Sequence, residues 1–376
     1  MTLFPLSRVH VSRFSILGTT LASLFLAQPA MAALSVATAD SNDETQEIAA
    51  VSPRIVNGNV VSAQAYPSFA SLFYDTLEYT GAFTQTPFCG AAILDPSHVV
   101  TAAHCIEGDI SVQMYVTVVP QLENERDYPF GNVQRHRVSA IYYPDTFINS
   151  GTFLFPDDIA ILKLDTPMNI DAVNDVAMLS SDESYRRTNA VFNALGHGNT
   201  RSGSDTSSRL LATSLSYATN SVCANVFLNG FRLTGKQICF DGDFSSFTQL
   251  KNSTCQGDSG GPVYWQTEFG QQILVGLTSF GPNQCGDPDL PITSVFTELQ
   301  DYRSWIANVL AGSEAAKVTI TNAQRDEFYA SGGTSVSNGD NSASIPTASG
   351  GSSGGGIGLG SAVLAALLFW RRRAAR

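Results

Sequence analysis

The octapeptide Cys255-Gln256-Gly257-Asp258-Ser259-Gly260-Gly261-Pro262 constrains this chain more than any other stretch. A fold that carries it must hold a hydroxyl, a carboxylate and three glycines in one tight turn. Ser259 alone is a poor nucleophile: acyl transfer needs a base within hydrogen-bond range and amide donors aimed at the developing oxyanion. Gly257 has no side chain to block its N–H, and the turn it permits lets the amides of Gly257 and Ser259 face one point. The base must come from elsewhere in the chain. Val100-Thr101-Ala102-Ala103-His104-Cys105 offers His104 at the end of a β-prone run, and Asp157-Asp158-Ile159-Ala160-Ile161-Leu162 offers carboxylates at the start of another. The resulting order is His, Asp, Ser.

These three blocks resemble those of the chymotrypsin-fold, trypsin-like serine proteases, and the resemblance runs over residues 55–310. It implies an all-β fold of two packed six-stranded antiparallel β-barrels with a C-terminal helix, the active site lying between the barrels. By the same resemblance His104 is the general base and then acid, Asp158 orients the imidazole, Ser259 attacks the scissile carbonyl, and the Gly257 and Ser259 amides form the oxyanion hole. Asp158 is preferred to Asp157 because the family motif Asp-Ile-Ala-Leu-Leu is matched by Asp158 and the Ile159-Ala160-Ile161-Leu162 that follows it. Protein or peptide substrates are implied, with no cofactor and no metal. The alternative from another class is a surface binding protein that keeps the protease fold with little turnover.

Arg54-Ile55-Val56-Asn57-Gly58 follows a polar, acidic stretch and resembles the family's zymogen cleavage site, cut by an activating protease between Arg54 and Ile55. A freed Ile55 ammonium turned inward would pair with Asp258 and order the loop that carries Gly257. Losing one partner of such a buried pair costs about 3–5 kcal/mol. Pairing raises the amine's pKa above its free value of about 7.7–8.0, so the active conformer is favoured below that range and lost as pH climbs through the raised value.

Six cysteines pair in fifteen ways, and their positions alone do not choose among them. The resemblance implies Cys89–Cys105 beneath His104, Cys223–Cys239 in the second barrel, and Cys255–Cys285 bracing the nucleophile loop. Such bonds persist in an oxidising compartment, in agreement with residues 1–32. There Arg8, His10 and Arg13 precede an apolar run at 14–27, and Ala30-Met31-Ala32 supplies a small-x-small cleavage site, the pattern of a signal peptide. A propeptide then covers residues 33–54.

The remaining protease-like stretch is long enough for two cores. Short β-prone runs at 112–119, 159–164, 191–195 and 273–280 are separated by Gly, Pro, Asn and Asp. They divide into barrels of about 55–170 and 185–310, joined by the acidic, Ser-rich stretch 171–184. Leu299, Tyr302, Trp305, Ile306, Val309 and Leu310 recur at helical spacing and predict a helix docked on the second barrel. The net charge of −12 argues against nucleic-acid or anionic-membrane partners.

In the family, the residue six before the nucleophile lies at the floor of the primary specificity pocket, where an Asp selects basic side chains. Here it is Ser253. Ser279-Phe280-Gly281 resembles the Ser-Trp-Gly strand that pairs with extended substrate, and Ser294 falls where the family commonly has Gly, narrowing the pocket. A neutral pocket for apolar or medium-sized side chains follows, unless Asp287 or Asp289 swings in. His197, in Gly196-His197-Gly198, matches a Gly-Trp-Gly turn and reads as structural.

From about Ser331 the chain is rich in Gly, Ser, Asn and Thr, and residues 311–349 are assigned as a flexible linker. Residues 350–376 combine a Gly-rich run, the apolar stretch 357–370 and Arg371-Arg372-Arg373. This resembles the Gly-Gly sorting signals of Gram-negative bacteria, cut by a rhomboid-type protease. It implies export, transient inner-membrane tethering, and type II secretion to the surface or medium. Fourteen apolar residues are short for a bilayer core that wants about 20. A permanent tail anchor is the alternative.

Overall fold

Short strands buried on both faces dominate the chain, and they close into two barrels. A computed structural model describes residues 55–333; Arg54, the signal and propeptide stretches and the sorting tail lie outside the described residues. The first barrel is built from β1 (Phe69–Thr76), β2 (Cys89–Asp95), β3 (His98–Thr101), β4 (Val116–Pro120), β5 (His136–Tyr142) and β6 (Ala160–Leu164). Its order is β5-β4-β1-β2-β3-β6, closed by pairing of β6 with β5. The second uses β7 (Val191–Gly196), β8 (Leu211–Ala218), β9 (Gln237–Gly242), β10 (Pro262–Gln266), β11 (Gln272–Phe280) and β12 (Ser294–Glu298). Its order is β8-β7-β10-β11-β12-β9, closed between β9 and β8. All these pairings are antiparallel, so the fold is two closed six-stranded antiparallel barrels with a short C-terminal helix.

Alternation explains the double burial. In β1, Ala70 and Leu72 join one apolar cluster, while Phe69 and Phe73 on the opposite face join two others. A strand of this kind shows no polar face.

Three expectations need correction. The run at 112–119 is not one strand: Ile110–Tyr115 forms a helix, α1, and only Val116 onward is extended. The Asp109 carboxylate accepts the amides of Ser111 and Val112 at 2.9 and 3.1 Å, and this N-cap overrides the β preference of the residues that follow. The helix predicted near the C-terminus, α2 (Arg303–Leu310), does not rest on the second barrel alone. Its Ile306 and Val309, with Leu299 and Tyr302 before it, share a cluster with Ala92, Val100 and Ile161 of the first barrel and Leu195 and Leu277 of the second.

The third correction concerns the segment assigned as linker from residue 311. Val318–Thr319, β13, pairs antiparallel with β5, and Asn322–Ala330 forms a further helix, α3. Thr321 and Gln324 close a capping box at its start. Phe328 enters the first barrel's core. The buried Arg325 guanidinium donates to the carbonyls of Met114 and Val138 and to Asn322 Oδ1. This segment is a strap across the first barrel, and any linker begins after it. Among the described residues no helix is long and apolar enough to cross a membrane.

Candidate active site

Strand register brings the first two site residues together. Thr101 of β3 lies opposite Ala160 of β6, so His104, three residues past the end of one strand, and Asp158, just before the other, leave the barrel at the same edge. His104 sits in a 3-10 turn, Ala103–Cys105. Disulfide Cys89–Cys105 fastens that turn to β2.

Asp158 is fully buried and its oxygens are all used. Oδ1 accepts the His104 backbone amide at 2.9 Å, and Oδ2 meets His104 Nδ1 at 2.8 Å and accepts the Ser279 hydroxyl at 2.5 Å. Thr297 Oγ1 donates to the Asp158 carbonyl at 2.7 Å, so the second barrel holds this residue by side chain and by backbone. Burial alone would lower the pKa of His104, but the Asp158 charge and hydrogen bond outweigh it and hold the imidazole above its ordinary value. The ring is fixed through Nδ1, and Nε2 lies 3.9 Å from Cys105 Sγ.

Asp157 turns away from this pair. Its carboxylate takes Lys236 Nζ at 2.8 Å and the Tyr302 hydroxyl at 2.7 Å. Burial would raise its pKa, but donation from Lys236, Thr146 and Tyr302 keeps it below the usual value. The backbone φ of Asp157 is +56°, and those of Leu154 and Phe155 are +59° and +45°. Left-handed residues without glycine are costly and gather at sites where geometry must be forced. Here they aim the Phe155 ring, whose centroid is 5.8 Å from His104 and 5.8 Å from Phe280.

The nucleophile turn is bound to both barrels. Gly260 N donates to Thr278 O, Gly261 N to Asp258 O, and Ser259 O accepts Gly90 N from the first barrel, at 2.8, 2.9 and 2.8 Å. Gly260 has φ +70°, and a Cβ there would lie 2.1 Å from Thr101 Oγ1 and 2.7 Å from Gly90 O, so only glycine lets the turn approach β3. The Asp258, Gly260 and Gly261 amides are occupied. Among the described residues the Gly257 and Ser259 amides donate to nothing, which leaves the two donors an oxyanion would need. No hydrogen bond joins Ser259 to His104 among the described residues; catalytic contacts of this kind often tighten only with substrate bound.

Asp258 is fully buried as well. It accepts Gly198 N and Cys255 N, each at 2.8 Å. A Cβ on Gly198 would sit 2.6 Å from the carboxylate carbon, so the Gly196-His197-Gly198 turn is a cradle for Asp258. His197 hangs from the back of that cradle, with Nε2 3.1 Å from Leu122 O and Nδ1 3.7 Å from Glu125. Ile55 and Val56 are fully buried beside this loop. Val56 bridges Ser253 in antiparallel fashion and its carbonyl accepts Thr213 Oγ1 at 3.2 Å.

A cleft of about 290 Å³ opens at Ser259, with Thr254, Thr278, Thr293, Phe280 and Gly281 among its walls and no charged residue in its lining. Ser253 and Ser294, expected as lining, are instead fully buried behind it. Ser253 Oγ donates to Thr254 O at 2.6 Å, with Thr293 O a more distant acceptor at 3.2 Å, and Ser294 Oγ accepts Thr254 N at 3.1 Å and Thr254 Oγ1 at 2.9 Å. The Ser294 hydroxyl braces the wall rather than protruding through it. Asp287 and Asp289 do not line the cleft; Asp287 accepts the Asp289 amide in a local turn. Cys223–Cys239 and Cys255–Cys285 are the other disulfides. Cys89, Cys105 and His104 cluster closely enough to suggest metal ligands, but both thiols are spent in the disulfide. Phe155 escaped the sequence reading, which followed only the polar residues of this loop.

Two barrels with an imidazole–carboxylate pair on one and a serine beside idle amides on the other define a serine hydrolase of the two-barrel class. The Trypsin family model matches residues 55–306, and the chain belongs to that family as a serine endopeptidase. It is 28% identical over 268 residues to chymotrypsin-like elastase family member 1 of Rattus norvegicus, covering 71% of this chain and 93% of the relative. It is also 28% identical to trypsin zeta of Drosophila melanogaster, over 69% and 88% of the respective chains. In fold it is similar to mouse neuropsin, with a TM-score of 0.54 and 22% identity, over 68% of this chain and 100% of that one.

Proposed function

We propose that this endopeptidase is exported, made as a zymogen and activated by cleavage after Arg54, and that it works through a Ser259 acyl-enzyme. The observation that carries the reading is the buried Asp158–His104 pair beside a serine flanked by two idle amides. His104, neutral above its raised pKa, takes the Ser259 proton as Oγ attacks the scissile carbonyl. Gly257 and Ser259 amides receive the oxyanion, and His104 then protonates the leaving amine. Water repeats the sequence to release the acid. Asp158 keeps Nδ1 protonated and balances the imidazolium charge.

Activation rests on Ile55 and Asp258. Buried Val56 bridges Ser253, in the loop that leads to Gly257, so a new ammonium at Ile55 would be delivered to the loop that holds the oxyanion donors. Cleavage then couples to order at Gly257. Three disulfides and the apolar N-terminal stretch support export. The Gly-rich tail with its apolar run and terminal arginines supports a Gram-negative surface or extracellular location, reached through a rhomboid-type protease and a type II route after transient tethering.

The uncharged cleft walled by Thr254, Thr278 and Thr293 supports a preference for neutral, small to medium apolar side chains before the scissile bond. Peptides varied only at that residue, tested on protein trimmed to begin at Ile55, decide it. Best turnover with Ala, Val, Leu or Met is expected. Preference for Arg or Lys would show that an acid reaches the cleft, and no turnover with any peptide would favour the binding-protein alternative.

A further inference from the structure

We infer that the buried pair of His197 and Glu125 is a positioning device for the oxyanion hole, holding the turn at 196–199 against Gly257 from the first barrel. This rests on the acyl-enzyme reading of Ser259. The turn reaches the hole through its backbone. Gly198 N donates to Asp258 Oδ1 at 2.8 Å and Asn199 N to Gln256 O at 2.7 Å, so the residues on either side of Gly257 are both tied to it. Gly257 lies between those bonds with φ +98°, and a Cβ there would sit 2.9 Å from Gly198 Cα. Backbone packed this closely passes a displacement of the turn on to the Gly257 amide.

His197 anchors the turn to the other barrel. Its side chain is 1% exposed and that of Glu125 3%, with Nδ1 3.7 Å from Oε1. A carbonyl oxygen only accepts, so Nε2, 3.1 Å from Leu122 O, carries a proton. Nδ1 is left for the carboxylate, and a second proton there makes the ring a cation opposite a buried anion. The Phe69 ring of β1 packs against the imidazole at 5.8 Å between centroids.

Glu125 is a fixed point for this contact. It opens a 3-10 turn, Glu125–Asp127, capped by Asn124, and its amide donates to Ser208 O at 2.9 Å. Glu123, the other acid of the segment, turns instead to Ser62 and the Ala63 amide. A tryptophan, which the resemblance gives for this turn, would only pack against the segment; histidine adds a charged contact with one fixed residue. Such a pair sets register more than it adds stability. The oxyanion donors belong to the second barrel and His104 to the first, so this contact aligns the hole with the base that serves the same serine.

The test uses protein that starts at Ile55, a peptide amide that it hydrolyses, and the trifluoromethyl ketone of the same sequence. Ser259 Oγ adds to the ketone carbonyl, whose oxygen becomes the oxyanion while His104 takes the hydroxyl proton. His197→Phe keeps the size of the ring and leaves the Glu125 carboxylate buried without the imidazole. Its kcat should fall about tenfold or more, ketone affinity should fall by the same factor, and KM should stay within about threefold. The acid limb set by His104 should not move. Adding Glu125→Leu to that variant should recover at least about threefold of the loss, because no charge is then left over at the pair. If His197→Phe does not fold, Glu125→Gln, which keeps the shape and removes the charge, should lower kcat and ketone affinity together by about threefold or more. A lower unfolding temperature with kcat and ketone affinity kept would show packing alone and overturn the inference. A change confined to KM, a moved acid limb, or a double variant no better than His197→Phe would overturn it too, with the protease reading left standing. Absence of hydrolysis by the parent protein overturns the protease reading itself.

Discussion

Asp158 and Asp258 are both fully buried carboxylates within the same site, yet they are held in different ways. Asp158 takes one backbone amide, from His104, but its other oxygen is gripped by side chains, the imidazole of His104 and the hydroxyl of Ser279, while Asp258 accepts backbone amides from Gly198 and Cys255. The first arrangement lets a carboxylate act on a titrating neighbour. The second lets a carboxylate decide where loops go. On the proposed mechanism two buried charges of the same kind serve chemistry and conformation separately, and the partners rather than the burial set the difference.

The contrast breaks most visibly at Asp158→Asn. The amide presents the wrong donor to Nδ1 or strands the wrong tautomer, and kcat should fall by about 10⁴ with little change in KM. The pH profile carries the sharper reading. Because Asp158 raises the His104 pKa above about 6.5, activity in the parent should rise through a value above that figure. In the variant the raising influence is gone, so the residual activity should appear at lower pH. The same sign governs stability: a raised folded pKa stabilises fully below the unfolded value and the contribution disappears as pH climbs through the folded one.

Asp258→Asn should cost less, about 10²-fold in kcat/KM, and leave the acid limb where it was, since the Asp258 carboxylate accepts the Gly198 and Cys255 amides while the imidazole is held by Asp158. Its loss should match that of protein left uncut at Arg54, and combining the two should add little, as measured by a double-mutant comparison of rates. Ser279→Ala should lower kcat by about tenfold through loss of one hydrogen bond to a charged acceptor. Equal acid-limb shifts in the Asp158 and Asp258 variants would erase the distinction between them.

The smallest expected effect on rate lies outside the comparison, in the strap. Arg325→Ala leaves the Met114 and Val138 carbonyls unpaired in the first barrel and should cost about 2 kcal/mol. Thermal unfolding would record this as a fall of about 4–8 °C, with kcat unchanged to within a factor of two.

Sequence made the site legible because its chemistry is local: Ser259 with its glycines, His104 after a β run, and Asp158 at the head of another. It left the strap unread for a physical reason. A helix anchored by one buried arginine and one phenylalanine has little apolar periodicity, and its surest mark was the Thr321–Gln324 capping box. The helix at 110–115 was hidden similarly, by a cap acting on β-prone residues. The pocket wall was misread at Ser253 and Ser294 because composition does not say which way a hydroxyl turns. Hydrogen bonds to Thr254 turn both away from the cleft.

On the proposed mechanism Ser259 is activated by the His104–Asp158 pair of the first barrel. Mass spectrometry of protein starting at Ile55, treated with a sulfonyl fluoride, tests it most directly. One adduct per chain, on Ser259, suppressed in His104→Ala and slow in the uncut form, is the predicted result. No adduct, or modification that ignores His104, would contradict the account.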